Sequence, residues 1–253
     1  MGTFNPAQYE DFLAKSEDVY ARTKYEIILG WLRGRGPLRI LNAGCGSGEL
    51  SLLMAREGHR VIGIDPEPAY IRLANQRAAS HSQDCQFHLS SIENYSGPYE
   101  FDAVVSTDVL EHIENDRVAF NKLADLVRIG GKVILTLPAG QWLFGYHDEQ
   151  LGHYRRYSAS TLRRLVSERC RVHRLRFFGL TLIPICLTYS TWLRMSYPIA
   201  QVGSGKQSFV SRVLRGMLAI ERHLHFPLGT SVLVSAERQA TNIVSERTVR
   251  KAA

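Results

Sequence analysis

The chain has 253 residues, 45% apolar and 22% charged, which fits an ordinary globular protein and excludes a wholly disordered one. Nine prolines and 20 glycines exclude collagen-like and low-complexity classes, and the cysteines Cys45, Cys85, Cys170 and Cys186 form no CxxC pair. The net charge of +7 hides an asymmetry: residues 1–150 carry 14 basic and 20 acidic side chains, residues 151–253 carry 17 and 4. The second half therefore either faces something anionic or solubilises itself with arginine.

In chain order, Phe12, Val19, Ile27, Ile28, Trp31 and Leu32 recur at helical spacing and predict a leading helical cap over residues 1–37, broken by Gly34, Gly36 and Pro37. Leu38–Asn42 reads as a buried strand, followed by a glycine-rich turn and a helix over Glu49–Glu57. Val61–Ile64 is a second strand and Pro68–Ala79 a second helix, with proline in the first turn where its missing N–H costs little. Cys85–Leu89 and Phe101–Ser106 are strands three and four. A helix over Asn115–Val127 ends at Gly130-Gly131, and Lys132–Leu137 is the fifth strand. Residues 139–157 read as a loop crowded with aromatics and histidines, followed by a helix at Ser160–Glu168 and a strand at Arg171–Phe178. Phe177–Leu193 runs 17 residues without charge, residues 199–225 are basic and amphipathic, Ser231–Ala236 is a last strand, and 238–253 is a polar tail. Strand–helix alternation of this kind predicts a parallel sheet covered on both faces.

The chemistry concentrates in Ile40-Leu41-Asn42-Ala43-Gly44-Cys45-Gly46-Ser47-Gly48-Glu49. A strand runs into three glycines at alternate positions and then into a helix, so the backbone can approach a ligand and offer free N–H groups. A nicotinamide fingerprint would place its third glycine at position 49, which is Glu49 here. Asp65, followed by Pro66, ends the second strand where a carboxylate can accept from ribose hydroxyls. Ser91-Ile92-Glu93 follows the third strand, where an adenine could stack. Each piece alone could be a tight turn or a helix cap.

Together these pieces, with Phe101–His112 and the fifth-strand entry Gly130-Gly131-Lys132-Val133-Ile134-Leu135, resemble the class I S-adenosylmethionine-dependent methyltransferases over residues 38–138. The resemblance implies a Rossmann-like, doubly wound, mostly parallel seven-stranded α/β sheet with one reversed strand. It implies a methyltransferase domain at 38–237, with an acceptor-side loop at 139–157 and a helical insertion at 177–227 before the last strand. Position by position, Gly44, Cys45, Gly46 and Gly48 would surround the methionine part of S-adenosyl-L-methionine and Asp65 its ribose. Ser91, Ile92 and Glu93 would lie at the adenine, and Thr107, Asp108, Val109 and His112 on the sulfonium side. Arg22 or Lys24 would pair with the cofactor carboxylate. The family usually has an acid where this chain has Asn42, and often Asp at Ser91; both residues still hydrogen-bond.

Methyl transfer needs alignment, exclusion of water and, for some acceptors, a base. The 139–157 segment offers His147, Asp148, Glu149, His153 and Tyr154 as candidates, with His147, His153 and Tyr154 the catalytic choice and an ion-pair cluster of His147–His153 with Arg155 and Arg156 clamping the loop as the alternative role. His147, Asp148, Glu149 and His153 are also ligand types for zinc or non-haem iron. Gly152, the lack of a clear helix, and Pro138-Ala139-Gly140-Gln141 where the metal-dependent branch tends to show Asp-Asn together argue for no metal.

Ser106-Thr107-Asp108-Val109 lacks the Pro-Pro-aromatic motif of enzymes that methylate amines of bases, which disfavours a nucleic-acid acceptor. The uncharged run is slightly short for a spanning helix and contains Pro184. Flanking Arg174, Arg176 and Arg194, then Lys206, Arg212, Arg215 and Arg222, suit an anionic headgroup or pyrophosphate. The expectation is a cytoplasmic methyltransferase with peripheral membrane contact as an option, acting at oxygen of a small-molecule, glycan or lipid-linked acceptor. N- or C-methylation, cofactor binding without transfer, and nicotinamide oxidoreduction are the alternatives; the oligomeric state stays open.

Overall fold

The computed structural model describes residues 19–34, 36–79, 84–97, 100–195 and 209–240. Seven strands form one sheet: β1 (Arg39–Ala43), β2 (Arg60–Asp65), β3 (Cys85–Leu89), β4 (Phe101–Thr107), β5 (Val127–Pro138), β6 (Cys170–Phe178) and β7 (Ser231–Arg238). Their order is β3-β2-β1-β4-β5-β7-β6, with β7 antiparallel to both neighbours and the other pairings parallel. The expected seven-stranded sheet with one reversed strand is the one observed.

The helices are α1 (Val19–Leu32), α2 (Glu49–Arg56), α3 (Pro68–Ala79), α4 (Asp116–Asp125), α5 (Tyr146–Leu151), α6 (Ala159–Ser167), the short α7 (Ile183–Cys186) and α8 (Phe209–Glu221). Successive strand residues point to opposite faces, so Ile40 and Leu41, or Ile134 and Leu135, enter different cores. One core gathers α1, α2 and α3 with Phe178, Leu182 and Cys186; the other gathers Phe120 and Leu123 of α4 with Leu162 and Val166 of α6. Burial on both faces is why the inner strands read as unbroken apolar runs.

Two boundaries differ from the sequence reading. The fourth helix stops at Asp125, because Val127 pairs with Phe101 and starts β5 early; Gly130, at φ 76°, lies inside that strand beside a register shift. The 139–157 segment is not an open loop: a 3-10 turn at Gln141–Leu143 and α5 occupy about half of it. It is tied down at both ends by Ala139 N–H to Thr230 O (2.8 Å) and Tyr157 N–H to Pro138 O (2.8 Å).

The uncharged run after β6 is a chain of short turns. Its first turn is capped by Glu221, whose buried carboxylate accepts from the N–H groups of Gly179, Leu180 and Thr181 at 2.8–3.0 Å. Reciprocally, buried Arg176 donates to the carbonyls of Glu221, Arg222 and Leu224 at the end of α8. Phe178, Leu182, Cys186 and Ser190 are buried while Trp192, Leu193 and Met195 are exposed, so this run is core on one side and surface on the other. Among the described residues no helix is long and apolar enough to cross a membrane. All four cysteines are buried, and none forms a disulfide among the described residues.

Candidate active site

The sheet reverses its winding between β1 and β4, and open α/β sheets place ligands in the crevice beyond the carboxyl ends of strands at such a point. The glycine turn after β1, Asp65 after β2, Ser91–Glu93 after β3 and Thr107–His112 after β4 all follow the carboxyl ends of parallel strands, as the segment after Pro138 does for β5.

Within the turn, Gly44 has φ 73° and a Cβ there would run into the Val109 side chain, so the β1 and β4 loops meet over a glycine. Gly48 has φ 81°, caps α2, and would place a Cβ 2.6 Å from Phe87. Asp65 accepts from Gly46 N–H through Oδ2 and from Glu67 N–H through Oδ1, both at 2.9 Å. This carboxylate therefore fixes the turn and the entry to α3 together. Burial raises its pKa above the ordinary value against those two bonds. Asn42 donates to Ser51 Oγ (2.8 Å), while its Oδ1, like Ser106 Oγ at the end of β4, is buried with no hydrogen-bond partner among the described residues. Two orphaned polar atoms at the switch point, beside a glycine turn, suit a polar ligand rather than a closed apolar core.

Ser91 Oγ accepts from Asn94 N–H, Ile92 is buried, and Glu93 and Pro66 are exposed. Arg22 is exposed, whereas Lys24 is buried and ion-paired with Asp108. Burial alone would lower the Lys24 pKa, but the Asp108 charge holds it above the usual range. Asp108 sits at φ 53° and also accepts from Thr136 Oγ1. The cation that α1 offers the site is thus Lys24, pinned to a residue expected at the sulfonium side.

On the acceptor side, the N–H of Tyr154 donates to Glu111 O (2.8 Å), and Arg155 donates to Glu114 O (2.6 Å) and pairs with Asp116 (3.1 Å). These links bring His153 against His112, ring centroids 4.5 Å apart and near perpendicular. Behind His153 stands Asp148, fully buried, accepting from His153 Nδ1 and Arg156 Nε, both at 2.8 Å, and from Gly145 N–H at 3.0 Å. Burial would raise the Asp148 pKa, but the His153 and Arg156 bonds outweigh it and hold it at about 2.

The other candidates go elsewhere. His147 is placed by its backbone N–H on Ser190 Oγ, Tyr154 is exposed beneath Arg155, and Glu149 pairs with Arg194 at the surface. Of the proposed catalytic trio, His153 has its imidazole held by Asp148 and set against His112 of the β4 loop. Asp148, with His153 and Arg156, forms the ion-pair cluster that the sequence offered as the alternative role for this segment, whereas Glu111 was not singled out. Glu111 is fully buried, and burial with nearby Asp108 pushes its carboxyl well above the usual range. The signal available for Glu111 was an acid inside the apolar stretch Val109-Leu110-Glu111-His112-Ile113.

Comparison with known proteins agrees with this layout. Residues 40–131 match a family model described as a methyltransferase domain. A ubiquinone biosynthesis O-methyltransferase from Methylocella silvestris is 41% identical over 95 residues, 37% of this chain and 37% of that protein. The chain thus matches well under half the length of that curated relative. Among solved structures, the N-methyltransferase NodS from Bradyrhizobium japonicum WM9, in complex with S-adenosyl-L-homocysteine, is 16% identical with TM-score 0.58, covering 87% of this chain and 88% of that one. Magnesium protoporphyrin IX methyltransferase from Synechocystis PCC 6803, with bound S-adenosylmethionine, is 17% identical with TM-score 0.53, covering 94% and 86%. Residues 40–131 are therefore similar to a methyltransferase domain, and the sheet that carries them has the fold of the class I S-adenosylmethionine-dependent methyltransferases.

Proposed function

We propose that this chain transfers the methyl group of S-adenosylmethionine to an oxygen of a small, lipid-like acceptor. The observation that carries the reading is the clamp of Asp65 on Gly46 N–H at the switch point, with unpartnered Asn42 Oδ1 and Ser106 Oγ beside it. When bound, S-adenosylmethionine supplies a methyl group on a sulfonium, already activated for in-line displacement. The turn Gly44–Gly48 holds its amino-acid end, Asp65 its ribose, and Ile92 with its neighbours its adenine. Lys24, kept charged beside Asp108, offers the cation for a carboxylate.

The protein's share of the chemistry is alignment and activation of the acceptor. His153 carries the activation. Asp148 occupies its Nδ1, which fixes the ring and leaves the lone pair of the second ring nitrogen for the acceptor side. Transfer to oxygen is supported by the relatives named for ubiquinone biosynthesis O-methylation. The structural neighbour named an N-methyltransferase makes nitrogen the competing acceptor atom. A lipid-like acceptor fits a membrane-facing surface: exposed Trp192, Leu193 and Met195 flank Arg194, and Val213, Met217 and Ile220 are exposed along α8. Such a surface, on the basic half of the chain, favours an anionic membrane.

Calorimetric titration with S-adenosylmethionine, its demethylated product and NADH tests the cofactor; binding of NADH alone overturns the reading. Mass spectrometry of catechol- or phenol-type acceptors incubated with protein and cofactor tests transfer, and a product methylated only at nitrogen shifts the assignment. Co-sedimentation with anionic vesicles, weakening as salt rises, tests the surface; no binding at low salt removes it.

A further inference from the structure

The turn after β1 sets Gly44, Gly46 and Gly48 at alternate positions, all with positive φ (73°, 52° and 81°). Glycine loses more backbone freedom on ordering than any other residue, so such a turn keeps one shape only where other elements hold it. Its first half is held by β2: Gly44 and Cys45 donate to Ile64 O at 2.8 and 2.9 Å, and Gly46 N–H donates to Asp65 at 2.9 Å. In the second half, Gly48 N–H bonds within the turn itself, to Cys45 O at 3.0 Å. The tie from this half to another element is Arg77 of α3, whose guanidinium donates to Ser47 Oγ at 2.7 Å and to Ser47 O at 3.3 Å. Helical spacing explains the reach. Ile71, Ala74 and Ala78 bury one face of α3, a Cβ at Gly48 would lie 3.1 Å from that of Ala74, and Arg77 follows Ala74 by three residues.

We infer that Arg77 is a positioning residue for the cofactor site: it clamps Ser47, and through it the second half of the glycine turn, in the shape that receives the ligand. Two observations separate this role from that of a stabilising surface charge. Arg77 lies in the last turn of α3, where a cation complements the helix field, but it reaches the start of α2, where a cation opposes it. The two helix terms offset each other, and what remains is a planar fork of donors on one residue. Ser47 in turn is buried with its hydroxyl on Arg77, so its side chain serves α3.

The inference deepens the proposed methyl transfer and rests on it only for the identity of the ligand; the ordering of the turn by Arg77 does not depend on it. A turn already in its binding shape spares the ligand the cost of ordering it. One that holds that shape about a tenth of the time binds about 10-fold more weakly. Asp65 and Arg77 thus divide the task, one on each half of the turn and each from a different element. An ammonium in place of the guanidinium can serve either Ser47 oxygen but lacks the fork that serves both.

The test uses the full chain in two measurements. Hydrogen exchange of the 44–48 segment, followed by mass spectrometry without ligand, reads the order of the turn; calorimetric titration with S-adenosylmethionine reads its consequence. In Arg77→Gln the segment should exchange about 10-fold faster or more, while β4 and β5 keep their protection. Cofactor affinity should fall about 10-fold. Arg77→Lys should recover part of both, with affinity within about 3-fold of the unsubstituted chain. Ser47→Ala removes one of the two acceptors and should cost about 3-fold, and in its background Arg77→Gln should cost less than it does alone. Unchanged exchange of the segment in Arg77→Gln overturns the inference. So does protection lost equally across β4 and β5, which marks a merely structural role, and so do effects of Ser47→Ala and Arg77→Gln that simply multiply. Should Arg77→Gln not fold, Arg77→Lys and Ser47→Ala decide: faster exchange of the segment in either supports the clamp, and exchange at the unsubstituted level in both overturns it. A turn loosened by Arg77→Gln in a chain with no affinity for S-adenosylmethionine leaves the clamp standing and removes the proposed function. Cofactor binding that Arg77→Gln leaves untouched does the reverse.

Discussion

The β1–β2 end of the sheet and the segment between β5 and α6 both contribute to the site, but they are built by opposite means. Around Gly44–Gly48 and Asp65, the proposed function rests on backbone conformation, and the carboxylate lies 19 residues from the Gly46 N–H it holds. Around His153, the proposed function rests on side chains from distant segments: Glu111 and His112 follow β4, while Asp148, His153 and Arg156 follow β5. A site made of backbone tolerates few substitutions at its glycines, whereas a site made of side chains fails one interaction at a time. That difference is open to experiment.

The largest effect is expected at Asp65. Asp65→Ala removes both the turn clamp and the ribose acceptor, and two charge-assisted bonds at about 1.5–3 kcal/mol each predict a loss of S-adenosylmethionine affinity of at least 100-fold by calorimetry. An affinity within 3-fold of the unsubstituted chain would break the backbone half of the comparison. On the side-chain half, His153→Gln should cut turnover at saturating cofactor by about 100-fold, with cofactor affinity unchanged. A matched fall in affinity would show that the two regions are not separable.

Next in size is Asp148→Asn. Its folded pKa, held at about 2 against an ordinary 3.8, is a depressed one, so the stabilisation is complete above pH 4 and is lost as pH falls toward 2. The difference corresponds to about 2 kcal/mol. The unsubstituted chain should therefore lose that much between pH 4 and 2, while the Asn variant starts lower at pH 7 and shows a flatter acid limb in denaturant titrations. Glu221→Gln, which weakens a cap on three N–H groups, is expected to cost about 1–2 kcal/mol of stability without altering cofactor affinity. The smallest effect belongs to His147→Gln, since the backbone N–H rather than the ring holds Ser190. Turnover should change less than 3-fold, and a loss as large as that of His153→Gln would return His147 to the acceptor side.

How much was legible in the chain differs between the same two regions. The strand, turn and helix periods announced β1 to β5, because a buried parallel strand and its crossover helix are local patterns of apolar residues and glycines. The end of α4 was misplaced by the early start of β5, a pairing of Val127 with Phe101 across 26 residues that no local pattern encodes. Histidines in the 139–157 segment stood out by composition, yet nothing local separated His147 from His153. Arg22 and Lys24 differ only by which side of α1 they occupy against the sheet, and packing put Lys24 inside.

By itself, then, the amino-acid order determined the doubly wound sheet, the glycine turn and the acid that closes it, since each depends on neighbours within one strand–helix unit. Tertiary structure alone decided that Asp148 stands behind His153, that Lys24 pairs with Asp108, and that the Glu111 carboxylate is buried beside two histidines with no hydrogen-bond partner among the described residues. Burial and charge pairing are properties of segments brought together by the whole fold. Those two quantities set the chemistry of the acceptor side.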